Sequence, residues 1–334
     1  MKDSKALSPW IKRFLLEHLT DERNLARNTQ KSYRDTIRLL ALFLAKWHRK
    51  PADQLAVADL SADLLRQFLK HLEEERHCGV ATRNQRLAAI HALATFIGRR
   101  NPEDLAWCAE LRSVCFKKVP KVPVSYLEKD EIEVLLGEPD LRTPLGRRDH
   151  AVLLFLYNAG ARASEVAQLR IGDLTLHRSA SEGQSYVRLL GKGNKIRVCP
   201  LWASTAIEVG DLVGDRPSTE RVFLNRCQQP LTRFGIHDIV VRYALHTNTS
   251  WSKVKKITPH SIRHTTATHL LRSGVDINTI RAWLGHVSLE TTNIYAEIDL
   301  AAKAKALSKC EMKSKRRPKR WRDDAGLLDF LESL

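Results

Sequence analysis

Residues 258–276 read Thr-Pro-His-Ser-Ile-Arg-His-Thr-Thr-Ala-Thr-His-Leu-Leu-Arg-Ser-Gly-Val-Asp. Thr258 followed by Pro259 is a helix start, a capping hydroxyl and then the ring that suits the first helical position. His260 then falls in the first turn, and Arg263 lies one turn on along the same face. A cation pair beside a positive helix end is unfavourable unless an anion sits there, and a phosphate is the obvious candidate. The next helix is predicted from Asp276 to Gly285, which sets His286 just past a tight stop, and a third starts near Ser288 and carries Tyr295. Short helices with these stops can bring His260, Arg263, His286 and Tyr295 to one cleft.

Upstream, Asn158-Ala-Gly-Ala-Arg162-Ala-Ser-Glu165 interrupts the apolar helix of residues 148–157. It presents Arg162 from a Gly-containing turn, and Glu165, three residues on, is placed to orient that arginine. The runs at 187–190 and 195–199 flank Gly191-Lys-Gly-Asn194, a β-hairpin pattern with Lys192 at its tip. Helical patterns occupy 128–136, resume at Ser204, and cover 231–245 and 258–307. The expected fold is mainly α with a small antiparallel β-sheet, in two domains.

The first of these is all helical. Ser8-Pro9 opens a helix in which Trp10, Phe14, Leu15 and Leu19 share a side. A second helix, from Asn28 or Thr29, buries a stripe of Tyr33, Ile37, Leu40, Leu44 and Trp47, leaving Lys31, Arg34 and Arg38 together on the opposite face. Leu64, Leu65, Phe68, Leu69 and Leu72 mark a third helix. Leu87, Ile90, Ala94 and Ile97 mark a fourth, with Arg83 and Arg86 near its start. Lys117-Lys-Val-Pro-Lys-Val-Pro-Val124 has two prolines and no helical period, so it reads as an extended connection. The boundaries are therefore 1–116 for the N-terminal domain, 117–124 for the linker, 125–308 for the second domain and 309–334 for a basic tail ending in a short apolar helix.

A length of 334 residues suits two domains, at roughly 100 to 200 residues each. The 55 Lys and Arg against 38 Asp and Glu leave a formal charge of +17, enough to attract a polyanion at long range. Nucleic acid leads among such partners, ahead of anionic lipid or acidic protein. The six cysteines, at 78, 108, 115, 199, 227 and 310, form no closely spaced pairs and read as free thiols. No secretory core opens the chain, and the longest apolar run, 151–157, is too short to span a bilayer, so a cytoplasmic protein without a membrane partner is expected.

Together these boxes resemble the tyrosine recombinases, the group that contains Xer recombinases, phage integrases and transposon-encoded integrases. The resemblance rests on Gly160-Ala-Arg162-Ala-Ser-Glu165, Gly191-Lys-Gly-Asn-Lys195, Pro259-His-Ser-Ile-Arg-His264, Leu284-Gly-His286 and Thr291-Thr-Asn-Ile-Tyr295, in the family's order. It is strong from Glu128 to Leu307 and general in the helical N-terminal part. It implies a core-binding, SAM-like N-terminal domain and an α+β catalytic domain. The implied activity is site-specific strand exchange through a 3′-phosphotyrosyl intermediate at Tyr295, without metal, cofactor or ATP. By the same resemblance Arg162 and Arg263 clamp the phosphate, His260 helps move the tyrosine proton, Lys192 protonates the departing 5′ oxygen and His286 hydrogen-bonds the phosphate. Lys31, Arg34, Arg38, Arg83 and Arg86 are the expected DNA contacts. The partner is double-stranded DNA, with monomers in solution assembling as a homo-tetramer on two sites. Three departures stand out: a longer polar connection at 177–185, an added basic segment at 247–256, and Thr266 where relatives often carry an apolar residue.

Blander readings exist for each residue alone. A single tyrosine in an amphipathic helix is usually packing, Arg162 could be a surface partner of Glu165, Lys192 a turn lysine and His286 a cap. Two rival functions follow from the sequence. One is a DNA-binding protein of the same fold without catalysis. The other is a zinc-dependent hydrolase using His260, His264 and His269, against which Ser261 stands where such a motif needs Glu.

Overall fold

In the computed structural model the described residues are 5–119, 125–177, 181, 183–191, 195–247, 249 and 255–285. The chain divides into two compact units, Met1–Val122 and Pro123–Leu334.

The described part of the first unit is helical. Helix α1, Leu7–Arg13, runs into a π-helical stretch, Phe14–Glu22. The wider turn lets residues five apart share a face, so Phe14 and Leu19 are both buried. The start is Leu7 with Ala6 at the cap, one residue before the Ser8-Pro9 start read from sequence. Helices α2 (Arg27–His48), α3 (Ala62–Glu74), α4 (Val80–Arg100) and α5 (Leu105–Arg112) follow. Ser61 caps α3 by accepting from the Leu64 N–H at 3.2 Å. Phe14 meets Phe96 edge to face at 5.4 Å within the core. On α2, Ile37, Leu40 and Leu44 are buried as the period requires, but Trp47 is 57% exposed. The helix ends one residue after it, with Arg49 in the left-handed region, and Trp47 stacks on Phe43 beyond the core's edge.

The second unit begins with α6 (Lys129–Gly137) and α7 (Pro144–Ala159). Thr143 caps α7, accepting from the Gly146 N–H at 2.9 Å with Pro144 behind it, so the helix starts a turn earlier than its apolar run suggests. Residues 151–156 of α7 are buried without exception, which makes it the central helix. Phe155 packs edge-on against Phe223, a contact that helps bury side chains worth roughly 1.5 to 3 kcal/mol each. Helix α8 (Ala163–Gln168) precedes a three-stranded antiparallel sheet in the order β1 (Leu174–Thr175), β2 (Tyr186–Leu190), β3 (Ile196–Pro200). The β2–β3 pair is the expected hairpin, with Leu190 opposite Ile196 and Val187 opposite Cys199. Strand β1 was not legible, being two residues long. Helices α9 (Ala203–Val213), α10 (Arg233–His246), α11 (Pro259–Arg272) and α12 (Ile277–Leu284) complete the described part. Linker residues 120–124, Lys192, His286, Tyr295 and the tail lie outside the described residues.

Candidate active site

Three elements meet at the site because each is stopped or started by a specific local device. Helix α7 ends at Gly160, which takes φ +55° as a left-handed cap and turns the chain so that Arg162 begins α8. Helix α11 starts as the sequence reading expects. Thr258 Oγ1 accepts from the Ser261 N–H at 3.3 Å, and Ser261 Oγ accepts from the Thr258 N–H at 3.2 Å. Helix α12 is capped at its start by Asp276 and stops at Gly285, φ +65°.

The last carbonyls of α12 have no partners within their helix, and three arginines supply them. Arg197 of β3 donates to the Trp283 carbonyl at 2.8 Å, Arg263 of α11 to the Leu284 carbonyl at 2.5 Å, and Arg162 to the Gly285 carbonyl at 3.4 Å. Cations at a helix C-terminus are also favoured by its dipole. Arg263 was expected to be displayed with His260; it is instead only 1% exposed, since its other arm donates to the Gly160 carbonyl at 2.7 Å. Those two carbonyls pull the guanidinium inward, and it forms part of the wall of a cavity.

That cavity, of about 400 Å³, is lined by Arg162, Ser164, Arg233, His237, His260 and Arg263. Arg162 keeps 34% of its side chain open, and His260 is exposed at the rim. Partial desolvation, and then the charges of Arg263 and Arg162, hold the His260 imidazole below its ordinary value. A neutral imidazole at that place can accept a proton. Glu165, 4% exposed, accepts from the Arg162 backbone N–H and from Arg162 Nη1, both at 2.8 Å. Burial alone would push its carboxyl up; Arg197 and Arg162 outweigh that and hold it at about 2.

Sequence reasoning placed the helix at 231–245 but missed Arg197 and Arg233 as residues of the site. Arg233 lies over the ring of the exposed Phe234 at 4.7 Å, and Thr232 caps their helix by accepting from the Gly235 N–H at 3.1 Å. A capping Thr followed by Arg-Phe at a first turn is a readable signal for a basic helix end. Arg197 gives no such signal, because a strand arginine normally points to solvent. Thr266, the departure from an apolar residue, is buried with its hydroxyl donating to the Tyr157 carbonyl at 2.7 Å.

The histidines do not gather as a metal site. His260 and His264 meet edge to face at 4.2 Å, whereas His269 shares a 2.7 Å hydrogen bond with the Tyr157 hydroxyl. Among the described residues no three His, Cys, Asp or Glu side chains are grouped to hold an ion. In the first unit Lys31, Arg34 and Arg38 are exposed on α2, with Arg34 paired to Asp35 at 2.8 Å. Arg83 does not lie on an open cationic face: it is buried, donating to the Cys115 carbonyl at 2.9 Å, and Arg86 is half-buried.

Arg162, Arg263 and His260 thus line one cavity, with Arg233 and His237 beside them. Residues 125–301 match the family described as "Phage integrase family", and residues 11–101 match "Phage integrase, N-terminal SAM-like domain". The chain belongs to the phage integrase, or tyrosine recombinase, family of DNA breaking and rejoining enzymes. It is 34% identical over the full length of both chains to a putative integrase/recombinase, y4rC, of Sinorhizobium fredii. It is 32% identical to tyrosine recombinase XerC of Roseiflexus castenholzii, over 85% of this chain and 87% of that one. Its fold is similar to the XerH recombinase solved on a palindromic difH substrate, with TM-score 0.64 at 22% identity, covering 87% of this chain and 82% of the other. The Tn1549 transposon integrase solved with a circular-intermediate DNA gives 0.67 at 14% identity, covering 92% and 100%. Among the described residues no helix is long and apolar enough to cross a membrane.

Proposed function

We propose that this protein is a site-specific DNA recombinase that cuts and rejoins strands through a 3′-phosphotyrosyl link at Tyr295. The observation that carries the reading is the convergence of Arg162, Arg263 and His260 on one cavity beside the end of α12. In the first step the Tyr295 phenolic oxygen bonds to the scissile phosphorus and the bond to the 5′ oxygen breaks. The phenol's proton leaves with help from His260, and Lys192 gives one to the departing oxygen. Negative charge on the non-bridging oxygens meets the planar donor forks of Arg162 and Arg263, with His286 a further donor. A second 5′ hydroxyl then attacks the same phosphorus and releases the tyrosine. The number of phosphate esters is unchanged, so no ATP is consumed.

The assembly is a homo-tetramer on two duplexes, formed from monomers. The N-terminal domain, 1–116, contributes Lys31, Arg34 and Arg38 to the DNA backbone. The linker is 117–124, the catalytic domain 125–308, and the tail 309–334 a contact between protomers. The test uses nicked duplexes selected for binding from a randomised pool. The wild-type chain is expected to form a covalent adduct, and Tyr295→Phe none, with binding retained. Equal adduct yield from both would remove Tyr295 from this role, and binding without any adduct would favour a non-catalytic DNA-binding protein.

A further inference from the structure

The buried carboxylate of Glu165 is held from two sides. Arg162 Nη1 reaches Oε1 at 2.8 Å, while Arg197 approaches with both arms, Nη1 to Oε1 at 2.8 Å and Nη2 to Oε2 at 2.7 Å. Arg197 itself is 8% exposed, and its Nε donates to the Trp283 carbonyl, which also accepts from Cys199 Sγ at 3.4 Å. One guanidinium therefore fixes the plane of the carboxylate and ties strand β3 to the end of α12. The half-open Arg162 is a long side chain with several rotamers to lose, and it takes its direction from Glu165 and the carbonyl of Gly285, the cap residue of α12.

We propose that Arg197 is a positioning residue for the phosphate-binding arginine. It locks Glu165 and the end of α12, and through both sets the direction of the Arg162 guanidinium. Its contact with the α12 terminus also explains the packing at Gly285, where an added Cβ would lie 3.2 Å from Arg197 Cδ. Charge alone does not suffice for this task. A lysine ammonium has no planar fork and cannot hold both carboxylate oxygens and the Trp283 carbonyl at once.

The inference rests on the strand-transfer reading above, and the experiment separates the two. Single-turnover adduct formation is measured for wild type, Arg197→Lys and Arg197→Ala on the nicked duplex, with DNA affinity measured in parallel. A second duplex carries a neutral methylphosphonate at the scissile position mapped from the wild-type adduct. Arg197→Lys should retain DNA affinity and form adduct about tenfold to a hundredfold more slowly on the phosphate, as expected for a displaced reacting group. On the methylphosphonate, where less negative charge awaits Arg162, that gap should largely close. Arg197→Ala should behave alike where it folds; the lysine variant carries the test where it does not. Wild-type rates in Arg197→Lys, or the same loss on both duplexes, would overturn the proposal. Absence of a wild-type adduct would instead bring down the strand-transfer reading, and this inference with it.

Discussion

Arg263 Nη1 donates to the carbonyl of Gly160 at 2.7 Å, a bond between residues 103 apart in the chain. It joins the start of α11 to the turn that presents Arg162, so the two guanidiniums are fixed by one shared backbone geometry.

Gly160 should therefore tolerate no side chain. Its φ is +55°, and an added Cβ would sit 2.6 Å from Leu284 Cδ2. Gly160→Ala is expected to destabilise the second unit by roughly 2 to 5 kcal/mol, combining left-handed strain of about 1 to 2 with overpacking of about 1 to 3. Denaturant midpoints measure the loss, and a midpoint equal to wild type would show that the turn relaxes freely.

Glu165 makes stability depend on pH in a defined window. Its folded value of about 2 lies below the ordinary 4.5, so the folded state favours the carboxylate. The contribution is fully present above about pH 4.5 and is lost as pH falls toward 2, amounting to about 3 kcal/mol at 1.36 kcal/mol per unit. Chemical denaturation of Glu165→Gln across this window should show a flatter pH dependence than wild type. Parallel curves would place the acid sensitivity elsewhere.

His260 should set the acidic limb of the cleavage profile. Desolvation and the charges of Arg263 and Arg162 hold its imidazole below the ordinary value, so the neutral form persists to lower pH. Adduct formation against pH should fall only below about 6.5. In Arg162→Gln, with one positive charge gone, that limb should move up, whereas an unchanged limb would detach it from His260.

DNA binding should weaken steeply with salt. Lys31 and Arg38 are exposed on one face of α2. Replacing either with Ala should lower the log–log slope of affinity against salt by about 0.9 for each phosphate contact removed. Arg83→Ala acts differently, since that side chain holds the Cys115 carbonyl inside the first unit; its main effect should be on thermal stability.

Much of the site was legible because its devices are local. The Thr258-Pro259 start, the Asp276 cap, the Gly285 stop and the Gly160 turn each follow from bonds between residues a few positions apart, and the hairpin from two apolar runs around glycines. The boxes that hold Arg162, Lys192, His260, Arg263, His286 and Tyr295 likewise carry the family resemblance, which the family match over residues 125–301 bears out.

Burial and the choice of a distant partner belong to the tertiary structure alone. Arg83, Arg197 and Arg263 are all arginines on amphipathic elements, and residue type alone assigns each to solvent. Folding instead brings the Cys115, Trp283, Leu284 and Gly160 carbonyls within reach of them. A buried cation is tolerated only where such acceptors, or a carboxylate like Glu165, replace the water it has lost, and those groups come from segments far off in the sequence.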